Sequence, residues 1–142
     1  MKESKRKCGR LGEITLFTYV IILFCSIFLF REASDKDYIR TELFWGYKST
    51  NEKILYGDNL TNILLFVPIG FLVGWVVSRY KLIKAVLVGL FLSETIECSQ
   101  LIWHRGTFDV DDLFNNTVGA LVGGLIAVVV TFVKGRRNPI QT

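Results

Sequence analysis

The sequence predicts an all-α, polytopic membrane protein with four transmembrane helices. Apolar residues make up 51% of the 142 residues, and the mean hydropathy of +0.39 is high for a soluble domain. These residues are concentrated in four runs of membrane-spanning length, with basic residues grouped at alternate ends of the runs. So much apolar material argues against a disordered chain, and three cysteines, an odd number, argue against a disulfide scaffold.

The first run, residues 14–30, contains no charged residue. A membrane span needs about 20 predominantly apolar residues, with about 17 as the lower limit. A basic segment, 1–13, precedes the run as it does in signal peptides, but Arg31 and Glu32 follow it directly, without a small-residue cleavage pattern. We therefore expect a retained first transmembrane helix.

The other three runs are predicted to form a core region, residues 60–133. The second run (60–78) and the fourth run (117–133) carry no charge. The third run (82–103) contains Lys84, Glu94, Glu97 and Gln100. A soluble bundle of buried helices is the alternative interpretation, but three of the four runs are apolar on all faces rather than along one stripe, which favours the membrane.

The distribution of basic residues predicts the orientation in the membrane. Segments 1–13, 79–84 and 134–142 hold five, three and three Lys or Arg, against five in 31–59 and one in 104–116. The positive-inside rule then places both termini in the cytoplasm, and segments 31–59 and 104–116 outside. The basic residues that give the chain a pI of about 9.1 are then expected to face the anionic lipid of the cytoplasmic leaflet. We therefore expect membrane lipids, and no nucleic acid, as partners.

Polar residues are concentrated at the outer ends of the core helices, although a carboxylate at the centre of a span costs about 2.5–3.5 kcal/mol. The third helix carries, within an arc of about 60°, Ser93, Glu97, Gln100 and His104. If the fourth helix begins near Asp109, an arc of about 80° holds Asp109, Asp112, Asn116, Gly119 and Gly123. Asp111 and Asn115 are expected to point elsewhere, with Asp111 in solvent.

These residues predict a polar pocket that opens to the outside or to the outer leaflet. Asn62, at the outer end of the second helix, contributes to it. Below the pocket, small residues let helix backbones approach closely. The predicted close contacts use two pairs of glycines, Gly70 with Gly74 and Gly119 with Gly123.

Three motifs of the core region have a distinctive order and spacing. They are NxxxFxPxG at Asn62, Phe66, Pro68 and Gly70, ExxQ at Glu97 and Gln100, and RxxxDxxDxxxNxxG at Arg105, Asp109, Asp112, Asn116 and Gly119. In order and spacing they resemble the motifs of the VanZ-like family of bacterial membrane proteins, whose founding member is associated with low-level teicoplanin resistance. The segment from Arg40 to Trp45, RTELFW, is similar in part to the family's RxxNLxPF stretch. It lacks the Asn and the Pro, so no role is carried over to it.

The resemblance implies a role in the bacterial cell envelope and in antibiotic resistance, but it supplies no reaction. The first hypothesis is therefore a binding protein that engages an envelope component, such as a peptidoglycan precursor, or a lipoglycopeptide antibiotic. The predicted ligand-binding residues are Asn62, Glu97, Gln100, Arg105, Asp109, Asp112 and Asn116. The second hypothesis is a membrane-embedded hydrolase or transferase that acts on an envelope lipid, with Glu97 as general acid or base and Asp112 as its partner. The third hypothesis is a lipid transporter. It would require a homo-oligomer, because four spans without an internal repeat are too few for a transporter made of one chain.

Three of the predicted site residues also have a structural interpretation. Glu97 can form a clasp between helices, either protonated or paired with Arg105. Asp109 can cap the fourth helix. Arg105 can hold an anionic group or serve as counter-ion to a carboxylate. His104 is the sole histidine, and one histidine among carboxylates is not a metal signature. We therefore expect no metal and no cofactor.

Overall fold

The computed structural model describes residues 2–30, 39–44, 52–104 and 106–137. The described chain forms four helices: α1 (Lys2–Phe30), α2 (Glu52–Val76), α3 (Lys81–Ile102) and α4 (Val110–Arg137). All four are long and apolar enough to cross a membrane, which confirms the predicted all-α fold class. Two strands of two residues each, β1 (Ile39–Arg40) and β2 (Phe108–Asp109), complete the described structure.

Three helices extend well beyond the apolar runs from which they were predicted. α1 begins at Lys2 rather than at 14, and α2 begins at Glu52 rather than at 60. α4 begins at Val110 rather than at 117 and ends at Arg137 rather than at 133. The start of α4 therefore belongs to a segment rich in carboxylates and amides. Its polar side chains lie on a regular helix, and this fixes which of them face the neighbouring helices.

Helices α2 and α4 run parallel and are in contact through their backbones. A Cβ added to Gly70 would collide with the carbonyl of Ala120, and one added to Gly123 would collide with the carbonyl of Val67. Gly119 is equally close to the carbonyl of Ile63. These contacts confirm the prediction that small residues bring the core helices together.

Helix α3 packs antiparallel to α4, also through small residues. A Cβ on Gly124 would lie 2.9 Å from the Cβ of Ala85, and one on Gly89 would collide with the Cβ of Ala120. One face of α1 packs antiparallel against α2, where the Tyr19 hydroxyl donates to the carbonyl of Leu65 at 2.9 Å. The apolar core between the helices consists of Leu23, Phe66, Ile69, Val73, Ala85 and Ile96.

The two short strands attach a distant segment to the start of α4. They pair in parallel, with Ile39 opposite Phe108 and Arg40 opposite Asp109. Residues 39–44, which we call the strap, therefore lie against the polar end of the helical core. This pairing joins the segment between α1 and α2 to the connection between α3 and α4.

Candidate functional site

A cluster of buried polar side chains lies at one end of the bundle formed by α2, α3 and α4. We call it the polar cluster, and none of the following members is more than 9% exposed: Asn59, Ser93, Glu97, Gln100, Asp109, Asp111, Asn115 and Asn116. Asn62 and Asp112, which are half-buried, complete it. Buried polar groups cost free energy unless hydrogen bonds satisfy them. The hydrogen bonds of each member therefore show what holds it in place.

Glu97 connects α3 to the segment that leads into α4. Its side chain is 1% exposed, and its Oε2 accepts a hydrogen bond from the backbone N–H of Asp109 at 3.0 Å. Just after α3, His104 has a positive φ of 52°, a conformation uncommon for residues other than glycine. Glu97 therefore forms the interhelical clasp that was one of its two predicted roles, here through a backbone amide.

Asp109 caps α4 and also holds the strap. Its Oδ1 accepts from the backbone N–H of Asp111 at 3.0 Å, the geometry of a helix N-cap. Its Oδ2 forms an ion pair with Nη1 of Arg40 at 2.8 Å. The N-cap interpretation of Asp109 is confirmed, and the ion pair gives the same carboxylate a second structural role.

Side chains of α4 bind both neighbouring helices at this end. Toward α2, Asn62 Nδ2 donates to Asp112 Oδ1 at 2.6 Å. Toward α3, Asn116 Nδ2 donates to Ser93 Oγ at 2.9 Å. Ser93 and Asn116 continue the antiparallel register set by Gly89 and Ala120, and one further turn of that register brings Glu97 opposite Asp112.

Two buried atoms of the polar cluster have no hydrogen-bond partner among the described residues. They are Oδ1 of Asn116, an acceptor, and Nδ2 of Asn59, a donor. Unsatisfied polar atoms in the interior of a protein are few and call for an explanation. Here they leave the cluster with one acceptor and one donor in reserve, on side chains that are at most 7% exposed.

Two residues that were predicted to point away from the site are in fact buried in it. Asp111 is 3% exposed, not solvated, and its Oδ1 accepts from the backbone N–H of Phe44 in the strap. Asn115 donates from Nδ2 to Oδ1 of Asn59 at 2.9 Å. The arc of α4 predicted to face the pocket was too narrow. The first turn of α4 is enclosed by α2, by α3 and by the strap, so residues outside that arc are buried as well.

Sequence reasoning also missed Arg40, whose position in the RTELFW segment was the available signal. Among the predicted site residues, the structure brings together Asn62, Glu97, Gln100, Asp109, Asp112 and Asn116. Arg105 lies outside the described residues. Glu94 and His104 are exposed. In the part of the chain that the structure describes, no group of three His, Cys, Asp or Glu side chains could hold a metal ion.

Most of the chain is similar to a known protein family. A family model described as VanZ/LLP1 matches residues 16–131. Protein VanZ of Enterococcus faecium is 29% identical over 68 residues, which are 48% of this chain and 42% of that protein. The matched region therefore spans less than half the length of that relative. No solved structure is similar to the chain.

Proposed function

Because the chain belongs to the VanZ/LLP1 family of membrane proteins, we propose that it acts in the bacterial cell envelope and contributes to glycopeptide resistance, above all to teicoplanin. In this proposal the protein crosses the plasma membrane four times, with both termini in the cytoplasm. The polar cluster then lies at the outer leaflet. There it binds an envelope component or the lipidated antibiotic itself.

The observation that carries the proposal is the hydrogen-bonding capacity left inside the polar cluster. Oδ1 of Asn116 and Nδ2 of Asn59 are buried without a partner among the described residues, in a region where each unsatisfied atom lowers stability. A polar ligand that offers both a donor and an acceptor would satisfy them. Arg105 completes the proposed binding set as a group suited to a phosphate or carboxylate.

An apolar rim next to the polar cluster supports a ligand with an acyl chain. The rings of Phe44 and Phe114 meet edge to face, with centroids 5.4 Å apart, and both remain about two-fifths exposed, at 42% and 41%. Trp103, at the end of α3, is also exposed. A ligand with a polar head and a lipid tail could contact the cluster and the rim together, whereas an unlipidated glycopeptide would lack the second contact.

The experiment is a susceptibility measurement in a sensitive Gram-positive host. It compares empty vector, wild type, Glu97→Gln, Glu97→Ala and the double variant Glu97→Ala/Asp112→Ala, with membrane levels checked for each. We expect wild type to raise the teicoplanin inhibitory concentration more than that of vancomycin, and we expect the double variant to lose the effect. Equal sensitivity of wild type and empty vector would refute a role in resistance.

Glu94→Gln is the matched control, since Glu94 lies on the same helix as Glu97 but is exposed. It should protect like wild type. Glu97→Gln retains an oxygen that can accept the Asp109 amide but cannot serve as a general acid or base. If binding is the activity, Glu97→Gln protects while Glu97→Ala fails. If Glu97→Gln fails as well, although it is stable and present in the membrane, the result supports the enzyme that acts on an envelope lipid.

A further inference from the structure

The end of the bundle opposite the polar cluster is strongly basic. Six cations whose side chains the structure describes are grouped there: Arg10, Arg79, Lys81, Lys84, Lys134 and Arg136. Among the side chains described there, Glu13 is the single acid. None of the six forms an ion pair with a carboxylate whose side chain the structure describes. This end therefore carries a net positive charge that a negatively charged partner would offset.

Two of these cations are held by contacts between helices. Lys81, at the start of α3, donates from Nζ to Oγ1 of Thr131 on α4 at 3.1 Å. Lys134, one turn further along α4, places its Nζ 4.3 Å from the ring centroid of Trp75 on α2. Since residues three apart are neighbours on a helix, Thr131, which binds Lys81, lies next to Lys134 on α4. The Lys81 ammonium is thus held at α4 and the Lys134 ammonium at α2, where the ends of three helices meet.

The arginines at this end are held differently. The guanidinium of Arg136 lies 4.6 Å from the ring of Phe132, one turn earlier on the same helix. The guanidinium of Arg79 lies 5.8 Å from the ring of its neighbour Tyr80. Both contacts are local to one segment. Arg79 and Arg136 therefore add charge to this end without being positioned by a second helix.

We propose that Lys81 and Lys134, with Thr131 and Trp75, form a binding site for the phosphate of an anionic phospholipid headgroup. We call these four residues the lysine cradle. Two ammonium groups have six N–H bonds, and Lys81 donates one of them to Thr131, so up to five remain for a phosphodiester. An anion bound there would also offset the positive charge of both lysines. A tryptophan at the end of a span is well suited to headgroup level. The lysine cradle lies at the opposite end of the helical bundle from the polar cluster. Its proposed role does not depend on the function proposed for the polar cluster.

The experiment is native mass spectrometry of the full chain in detergent, titrated with phosphatidylglycerol or with phosphatidylcholine. The test variant is Lys81→Gln/Lys134→Gln. The matched control is Arg79→Gln/Arg136→Gln, which removes the same charge from the same end. We expect wild type to retain phosphatidylglycerol in preference to phosphatidylcholine. The test variant should bind phosphatidylglycerol about tenfold more weakly and the control less than about threefold more weakly, because only the lysines would touch the phosphate.

Equal losses in the two double variants would show that bulk charge attracts the lipid, and the lysine cradle would be refuted. Wild type without preference for phosphatidylglycerol would refute it as well. The variant Lys81→Arg/Lys134→Arg should retain most of the preference, since guanidinium groups also bind phosphate. If the glutamine double variant does not fold, Lys134→Gln alone, at an exposed position, should still weaken phosphatidylglycerol binding more than Arg136→Gln does. Equal losses in these two single variants would refute the proposal too.

Discussion

Helix α4 packs by two different means in its two halves. On the face toward α2, α4 first presents Asn115, whose side chain donates to Asn59. Four and eight residues later the same face presents Gly119 and Gly123, which lie against backbone carbonyls of α2. Toward α3, Asn116 with its bond to Ser93 is followed by Ala120 against Gly89. On both faces the change from polar side chains to small ones occurs at the same depth of the bundle.

The difference separates residues that only bring the helices together from residues of the candidate site. In the half built from Gly and Ala, association rests on van der Waals contact between backbones, which any larger side chain would prevent. In the polar half, each hydrogen bond must first offset the cost of burying its own groups. If packing were the sole requirement, small apolar residues along the whole of α4 could hold the helices together equally well. The polar half is therefore the part of the interface that needs an explanation beyond stability.

The largest effect is expected from enlarging a glycine between α2 and α4. A Cβ at Gly123 would meet the carbonyl of Val67, which is backbone and cannot rotate away. Gly123→Ala should therefore destabilise the protein by about 3 kcal/mol, the upper end of the range for overpacking, or prevent its accumulation in the membrane. Thermal unfolding in detergent measures the change.

The matched control for that substitution lies on the same helix. Gly135 has nothing within 4 Å of an added Cβ, so Gly135→Ala should leave the unfolding temperature unchanged or raise it slightly, since alanine favours a helix by about 0.5–1 kcal/mol over glycine. If Gly123→Ala melts like wild type, α2 and α4 are not in backbone contact and the contrast between the two halves is wrong.

A smaller loss of stability is expected from Glu97→Ala in the polar half. The substitution leaves the buried N–H of Asp109 without its carboxylate acceptor, at a cost of about 1–3 kcal/mol. Glu97→Gln keeps an acceptor and should lose less. Hydrogen exchange at the amide of Asp109 should accelerate in Glu97→Ala but much less in Glu97→Gln. Exchange that is unchanged in both variants would show that Glu97 does not hold this amide.

Much of the fold could be predicted because its determinants are local in sequence. Uncharged runs of membrane-spanning length indicate helices, and glycines four residues apart indicate helix faces that allow close approach of a neighbouring backbone. The structure adds that these faces of α2 and α4 lie against each other. The helical arc of Asp112 and Asn116, and the stripe of Glu97 and Gln100, placed these residues on facing surfaces. In each case the periodicity of one helix carries the information.

The parts that were missed depend on contacts between distant segments. The pairing of β1 with β2 joins Arg40 to Asp109 across 69 positions of the chain, and two-residue strands leave no periodic pattern. Asp111 was predicted to be solvated because nothing in its own segment reveals the strap that covers it. A carboxylate beside an N-cap has the same local sequence whether water or a backbone N–H from elsewhere is its partner.

The smallest change in stability, and the sharpest test of the contrast, is expected from replacing a polar pair together. In Ser93→Ala/Asn116→Leu both hydrogen-bonding partners become apolar, and the unsatisfied Oδ1 of Asn116 is removed. Such paired replacement can be nearly neutral, so we expect a change in unfolding free energy within about 1 kcal/mol, measured by thermal unfolding in detergent. Protection against teicoplanin should nevertheless fall to that of empty vector, since the proposed site would lose its spare acceptor. A stable double variant that still protects would show that this layer of the polar cluster serves packing alone, and the binding site would then have to lie nearer to Asp109 and the strap.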